Sequence, residues 1–154
     1  MDSIIDSRTL RLVHVFNAPI ERVFAAWTDP EQFVQWMCPP GFGLDHCELD
    51  ARAGGVWRVH GYKPDGSHFA KSGVYREVRR PERLVFTWAH HADDTFARLR
   101  GHETTVDLTF RGIGNTTELV LVQGPFIDRP NFSGHSEGWR GSFDKLDDLL
   151  SKGV

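Results

Sequence analysis

Apolar and polar residues alternate along most of the chain between Leu44 and Gln123, and after Pro130 the apolar ones recur at intervals of three and four. Alternation of period two marks strands, and the wider interval marks a helix. The pattern predicts strands over Leu44–Leu49, Val56–Tyr62, Phe69–Arg79, Leu84–His90, Glu103–Phe110 and Thr116–Gln123. Their connections are turn sequences: Gly54-Gly55, Pro64-Asp65-Gly66-Ser67, Arg80-Pro81-Glu82 and Gly112-Ile113-Gly114-Asn115. A longer polar loop is expected from Ala92 to Gly101. Proline presets one dihedral and glycine accepts positive φ, so such sequences reverse the chain tightly. Strands joined so briefly are antiparallel neighbours.

Upstream, residues 1–7 read as a loose start, and Leu10, Val13, Val15 and Phe16 predict a first strand from Arg8 to Phe16. Pro19 then opens a short helix at its first position, with Ile20, Val23, Phe24 and Trp27 on one face. A second short helix follows, with Asp29 as N-cap and Gln32 near the capping-box position. It carries Phe33 and Trp36, and Cys38-Pro39-Pro40-Gly41 stops it. The final helix runs from about Pro130 to Lys152, its apolar stripe formed by Trp139, Phe143, Leu146, Leu149 and Leu150. Gly134, Gly138 and Gly141 weaken it by roughly 1 kcal/mol each relative to alanine. Two explanations stay open: a close approach of backbone or ligand, or a helix that begins only near His135.

The elements amount to a seven-stranded antiparallel sheet and one long helix, with two short helices after the first strand. A sheet of that size has one apolar face to bury and a single long helix to cover it. It is expected to curl around the helix and leave a cavity. The apolar register faces inward: Trp57 and Val59; Leu84, Phe86 and Trp88; Val106, Leu108 and Phe110; Leu119 and Leu121. Glu103 has the opposite parity to Val106 and Leu108 and is expected in solvent.

Composition narrows the function. With 154 residues, 40% of them hydrophobic, the chain reads as one domain spanning residues 1–154. A net charge of −3 gives no generic attraction to nucleic acid or anionic membrane. The basic cluster Arg76, Arg79, Arg80 and Arg83 is interleaved with Glu77 and Glu82 and reads as a solvated rim. There is no apolar run long enough to span a bilayer and no secretory start. Two cysteines, Cys38 and Cys47, allow at most one bridge, and a reduced, cytoplasmic protein is the expectation. The adjacent pairs His46-Cys47 and His90-His91 point to opposite faces of their strands, so no metal site is assigned. Neither a phosphate loop nor a nucleophile elbow is present.

Specific residues sharpen the fold. They are Ala18-Pro19, Val23-Phe24 and Trp27-Thr28-Asp29-Pro30; Trp36; Asp50, Arg52 and Gly54-Gly55-x-Trp57-Arg58; Asp65-Gly66; and Gly73-x-Tyr75. Pro81-x-Arg83-Leu84-Val85-Phe86-Thr87-Trp88, Thr104-x-Val106, Thr117-Glu118-Leu119 and Gly138-Trp139 complete the set. In this order they strongly resemble the family named for homologues of the Hsp90 ATPase activator, within the helix-grip superfamily of START-like and birch-pollen-allergen (Bet v 1-like) domains. The resemblance implies an α+β helix-grip fold whose sheet holds the C-terminal helix around a mostly apolar cavity. Members of the superfamily bind lipids, hormones and polyketides, and some are enzymes. The chain departs from the family at Gln123, where a histidine is frequent, so chemistry that depends on that histidine is not expected here.

The cavity is expected to be walled by Trp57, Phe86, Trp88, Val106 and Leu108 from the sheet. Phe126, Trp139 and Phe143 would close it from the helix side, with Trp36 near its mouth. Tyr75, His90 and Gln123 are the polar groups placed to orient a ligand. The favoured function is binding of a small hydrophobic or aromatic molecule, with no cofactor. One alternative is an enzyme acting on such a molecule by proton transfer or cyclisation, with His90 as the titratable group. Another is an interaction module linked to an Hsp90-type chaperone and stress response by family analogy. Self-association into a homodimer is compatible with each.

Overall fold

The computed structural model describes residues 2–6, 8–92, 96 and 100–152, so part of the loop expected between Ala92 and Gly101 lies outside the described residues. In chain order the elements are β1 (Asp2–Asp6), β2 (Thr9–Phe16), α1 (Ile20–Thr28), α2 (Pro30–Trp36), β3 (Gly43–Leu49), β4 (Val56–Tyr62), β5 (His68–Arg79), β6 (Arg83–His90), β7 (Thr104–Ile113), β8 (Thr116–Gly124) and α3 (Arg129–Ser151). The strands form one antiparallel sheet in the order β1-β2-β8-β7-β6-β5-β4-β3.

The seven expected strands are β2 to β8, and β1 is an eighth that the sequence reading took for a loose start. It pairs Asp2 with Leu12 and Ile4 with Leu10, covering the backbone edge of β2. A segment of five residues carries too little alternation to be recognised from pattern alone.

Because β2 and β3 lie at opposite sides of the seven-strand core, the segment joining them must cross the sheet. That segment is α1 and α2. The first packs on β7 and β8, the second on β3 and α3. Pro19 turns out to be the N-cap of α1, one position earlier than expected, and its carbonyl accepts from Arg22 and Val23. Asp29 caps α2 as expected, accepting from the Glu31 amide at 3.0 Å, while Gln32 donates to its other oxygen at 3.1 Å. Asp128 caps α3 by accepting from the Asn131 amide at 2.9 Å. All three glycines therefore lie inside α3, and the later start near His135 does not hold.

The inward register is as expected. Trp57, Val59, Leu84, Phe86, Trp88, Val106, Leu108, Phe110, Leu119 and Leu121 are buried, and Glu103 is exposed. Gly73 on β5 serves this packing. A Cβ there would collide with the Thr87 carbonyl and with Trp57 Nε1, the pair joined by the indole's hydrogen bond at 2.9 Å.

Through the core runs a continuous row of all five tryptophans. Ring centroids lie 4.6 Å apart for Trp36–Trp27, 5.7 Å for Trp27–Trp139, 5.3 Å for Trp139–Trp88 and 5.3 Å for Trp88–Trp57. Trp36 donates to the Ala26 carbonyl at 2.9 Å and Trp139 to Gln123 Oε1 at 2.7 Å. The Trp27 Nε1 is buried with no hydrogen-bond partner.

Candidate functional site

The space between sheet and helices is divided unequally. At the end that α1 and α2 cross, Phe24, Trp27, Phe33 and Trp36 fill it completely. At the other end a cavity of about 400 Å³ remains, open to solvent. Its walls are the start of β5 (Phe69 to Lys71), the end of β6 (Trp88 and His90, continuing to His91), the first half of α3 and the Met37–Phe42 loop after α2. A shallower groove of about 290 Å³ adjoins it and shares Trp88, His90 and His135, with Phe126 and His102 on its far side.

Of the residues expected to face a ligand, Trp88, His90 and Trp139 line the main cavity and Phe126 lines the adjoining groove. The rest do not reach it. Trp57, Phe86, Val106, Leu108 and Phe143 are core residues packed among themselves. Trp36 is not at a mouth but fully buried against Trp27. Tyr75 is buried against Phe86 and does not line the cavity, and burial pushes its hydroxyl pKa up. Gln123 is fully buried and serves as a bracket: its amide donates to Thr104 Oγ1 at 2.9 Å while its carbonyl accepts from Trp139. Different neighbours cover them: Phe86 of β6 packs on Trp57 and Tyr75, Trp139 of α3 holds Gln123, and Trp27 of α1 packs on Trp36.

Three polar residues on the wall were not singled out from sequence. Lys71 faces inward on β5, with Val59 and His90 as its cross-strand partners. Its ammonium lies 4.8 Å from the Trp88 ring centroid and 5.0 Å from that of Phe69, where the ring faces attract a cation. Desolvation pushes its pKa down; the Cys38 thiol acts in the opposite sense and Lys63 in the same sense. Among the described residues it has no carboxylate partner. The signal was available, because Lys71 shares the parity of Phe69 and Tyr75.

His135 is the second. Its Nδ1 donates to the Asn131 carbonyl at 2.8 Å, leaving Nε2 to accept from Trp88 Nε1 at 3.2 Å. Burial, with Lys71 adding to it, pushes its pKa down to about 4 despite the Asn131 bond. His90, 5.7 Å away and edge-on, is also shifted well below the usual histidine range, by burial first and then by Lys71. Both rings are neutral at pH 7.

Cys38 is the third, and its backbone has φ 111°, a region that side-chain-bearing residues rarely adopt and that is costly wherever the surroundings do not impose it. Here they do: its amide donates to Ser142 Oγ at 3.1 Å, and Pro39 and Pro40 pack on Gly141 of α3. Burial pushes its thiol pKa up, so it stays a neutral thiol. Cys38 and Cys47 are both free.

The wall is thus strongly biased in charge. Among the described residues it contains Lys63, Lys71, His68, His90, His91 and His135, and no aspartate or glutamate.

Strands β3, β4 and β5 bring Asp45, His60 and His68 together, with one donor atom from each within 4.8 Å of the others. They offer three donors, one short of a structural zinc site, and Asp45 is already engaged with His60 Nδ1 at 2.6 Å. His68 alone of the three lines the cavity, at its rim.

Comparison with known proteins agrees with this architecture. The structure of the AHSA1 protein from Silicibacter pomeroyi is 28% identical, with a TM-score of 0.83, covering 95% of this chain and 99% of that one. A protein from Chromobacterium violaceum is 28% identical with a TM-score of 0.80, covering 94% and 97%. At 20% identity, a protein from Arthrobacter aurescens shares the fold with a TM-score of 0.83, covering 99% and 91%. None of the curated proteins is similar at a significant level. The family model described as activator of Hsp90 ATPase homolog 1-like protein matches residues 17–151, and the chain belongs to that family.

Proposed function

We propose that the protein binds a small apolar or aromatic molecule in the cavity at the His90 end of the sheet. The carrying observation is the cavity itself. At about 400 Å³ it lies within the size range of small-molecule sites, roughly 300–1,000 Å³, and combines aromatic walls with a few convergent polar groups. Trp88 and Trp139 would sandwich or edge the ligand, while His90 and Phe126 border its outer part.

The test is native mass spectrometry of protein purified from its own host, run beside a denatured sample and a Gly134→Phe variant. Gly134 lines the cavity and a Cβ there meets nothing within 4 Å, so the added ring occupies the ligand's space without displacing protein. The expected result is a small molecule carried by the wild type, released on denaturation and missing from the variant. Equal loading of both proteins would place the ligand elsewhere and defeat this reading.

The family name favours a second reading, a chaperone-linked interaction. Among the described residues, the large exposed apolar side chains are Val15, Val56, Tyr62, Val74, Ile113 and Ile127, of which Val56 and Val74 are direct cross-strand partners. An unchanged ATPase rate of the host's own Hsp90-type chaperone would dispose of it. Catalysis by His90 is less well supported, because a ring with so low a pKa is a weak proton acceptor at neutral pH. A reducing, cytoplasmic setting suits the two free thiols.

A further inference from the structure

We infer that the molecule held in this cavity is a carboxylate, its acid group paired with the Lys71 ammonium and its apolar body lying against Trp88 and Trp139. The inference rests on the binding function proposed above and specifies its ligand class.

Three independent observations converge on it. The first is composition of the wall. The chain carries 21 acidic and 18 basic residues, yet among the described residues that line the cavity there are two lysines and four histidines and no acidic side chain. Walls of one sign and low dielectric focus the field on an entering ion of the opposite sign.

The second is the position of Lys71. Lysine is rarely placed in apolar surroundings without a partner, because withdrawing an ammonium from water is costly unless something compensates. Here the ammonium hangs between two ring faces, and the nearby thiol of Cys38 is held neutral by burial. Its ring contacts offset part of that cost but accept no hydrogen bond of ordinary strength. The three N–H donors remain for a ligand that enters the cavity.

The third is the state of the neighbouring rings. His135 spends both nitrogens on Asn131 and Trp88, which fixes it neutral and removes it as a competing cation. His90 stands opposite Lys71 on β6, edge-on to His135. An entering carboxylate would give Lys71 the counter-charge that the described residues do not supply and would favour its protonated form. The aromatic sides select an apolar body attached to that charge.

Two pairs of shape-matched probes test the inference: 2-naphthoate against 2-naphthamide, and decanoate against decanamide, titrated calorimetrically at pH 7. A hydrogen bond to a charged group contributes about 1.5–3 kcal/mol, so wild type should bind at least one acid about tenfold or more tightly than its amide. Lys71→Met, a flexible apolar replacement that keeps the length of the stem, should bring that acid to the level of its amide and leave amide binding within about twofold. Lys71→Arg should retain the preference. Circular dichroism on both variants separates loss of binding from loss of fold. Equal affinity for acid and amide in wild type, or an acid preference that survives in Lys71→Met, overturns the carboxylate assignment and leaves the binding function standing. If neither acid nor amide binds wild type in either pair, the binding function falls with it.

Discussion

His135 is half-buried beside a lysine and an indole, and that arrangement has a pH signature. Its folded pKa is lowered to about 4 from the ordinary histidine value of 6.5. The unfolded chain therefore binds the proton more readily, and stability falls where it does so. The contribution is fully present above about pH 6.5, shrinks as pH drops through the window from 6.5 to 4, and is gone below it. The groups facing the ring are Lys71 on β5, His90 and Trp88 on β6, His102 before β7 and Asn131 on its own helix. Thermal melts from pH 7 to pH 4 should show the melting temperature falling more steeply for wild type than for His135→Gln. Parallel curves would show that this ring does not titrate as described. Lys71 has the same lesson at the level of reading. Its parity with Phe69 and Tyr75 was visible, but a charge in an alternating strand is ordinarily assigned to solvent. What the sequence conceals is that Phe69 and Trp88 supply ring faces on either side of it.

Helix α3 shows why three glycines persist in one helix, and they do so for two different reasons. Gly141 meets Pro39 and Pro40: a Cβ there would lie 2.9 Å from Pro40 Cδ and 3.1 Å from Pro39 Cβ. Gly134 has nothing within 4 Å and faces the cavity. Gly134→Ala is expected to stabilise the protein by up to about 1 kcal/mol through helix propensity alone. Gly141→Ala is expected to destabilise it by about 1–3 kcal/mol, because the proline pair cannot withdraw without moving the strained Cys38 backbone. Urea denaturation of both variants checks the opposite signs, and a shared sign would refute the distinction. The strands, the antiparallel pairing of consecutive ones and the cap at Asp29 follow from local pattern and turn chemistry, which is why β3 to β8 were legible. Strand β1 was not, for its pairing with β2 rests on backbone bonds that any sequence can make. Nor was the extent to which α1 and α2 fill the sheet, since parity gives the face of a strand but not what lies above it. Trp36 lies buried against Trp27 for that reason, while Tyr75 and Gln123 are covered by Phe86 of β6 and Trp139 of α3.

At the scale of the molecule, the crossing from β2 to β3 divides the interior into a packed end and an open one. Family membership and the solved relatives agree with the sheet and the gripped helix. The boundary between the two ends is Trp139, which the Gln123 bracket holds in place. The unbroken tryptophan row across this boundary has an optical consequence. Indoles whose rings lie 4.6–5.7 Å apart exchange excitation far faster than they emit. A photon absorbed by Trp36 at the packed end can therefore be extinguished at Trp88 on the cavity wall. An occupant that touches only Trp88 and Trp139 should dim the emission of the whole row. In Trp139→Phe the row is cut, and the same occupant should leave the light from Trp27 and Trp36 unchanged. The fold thus carries an unlabelled optical gauge of cavity occupancy, and its range extends to the far side of the core.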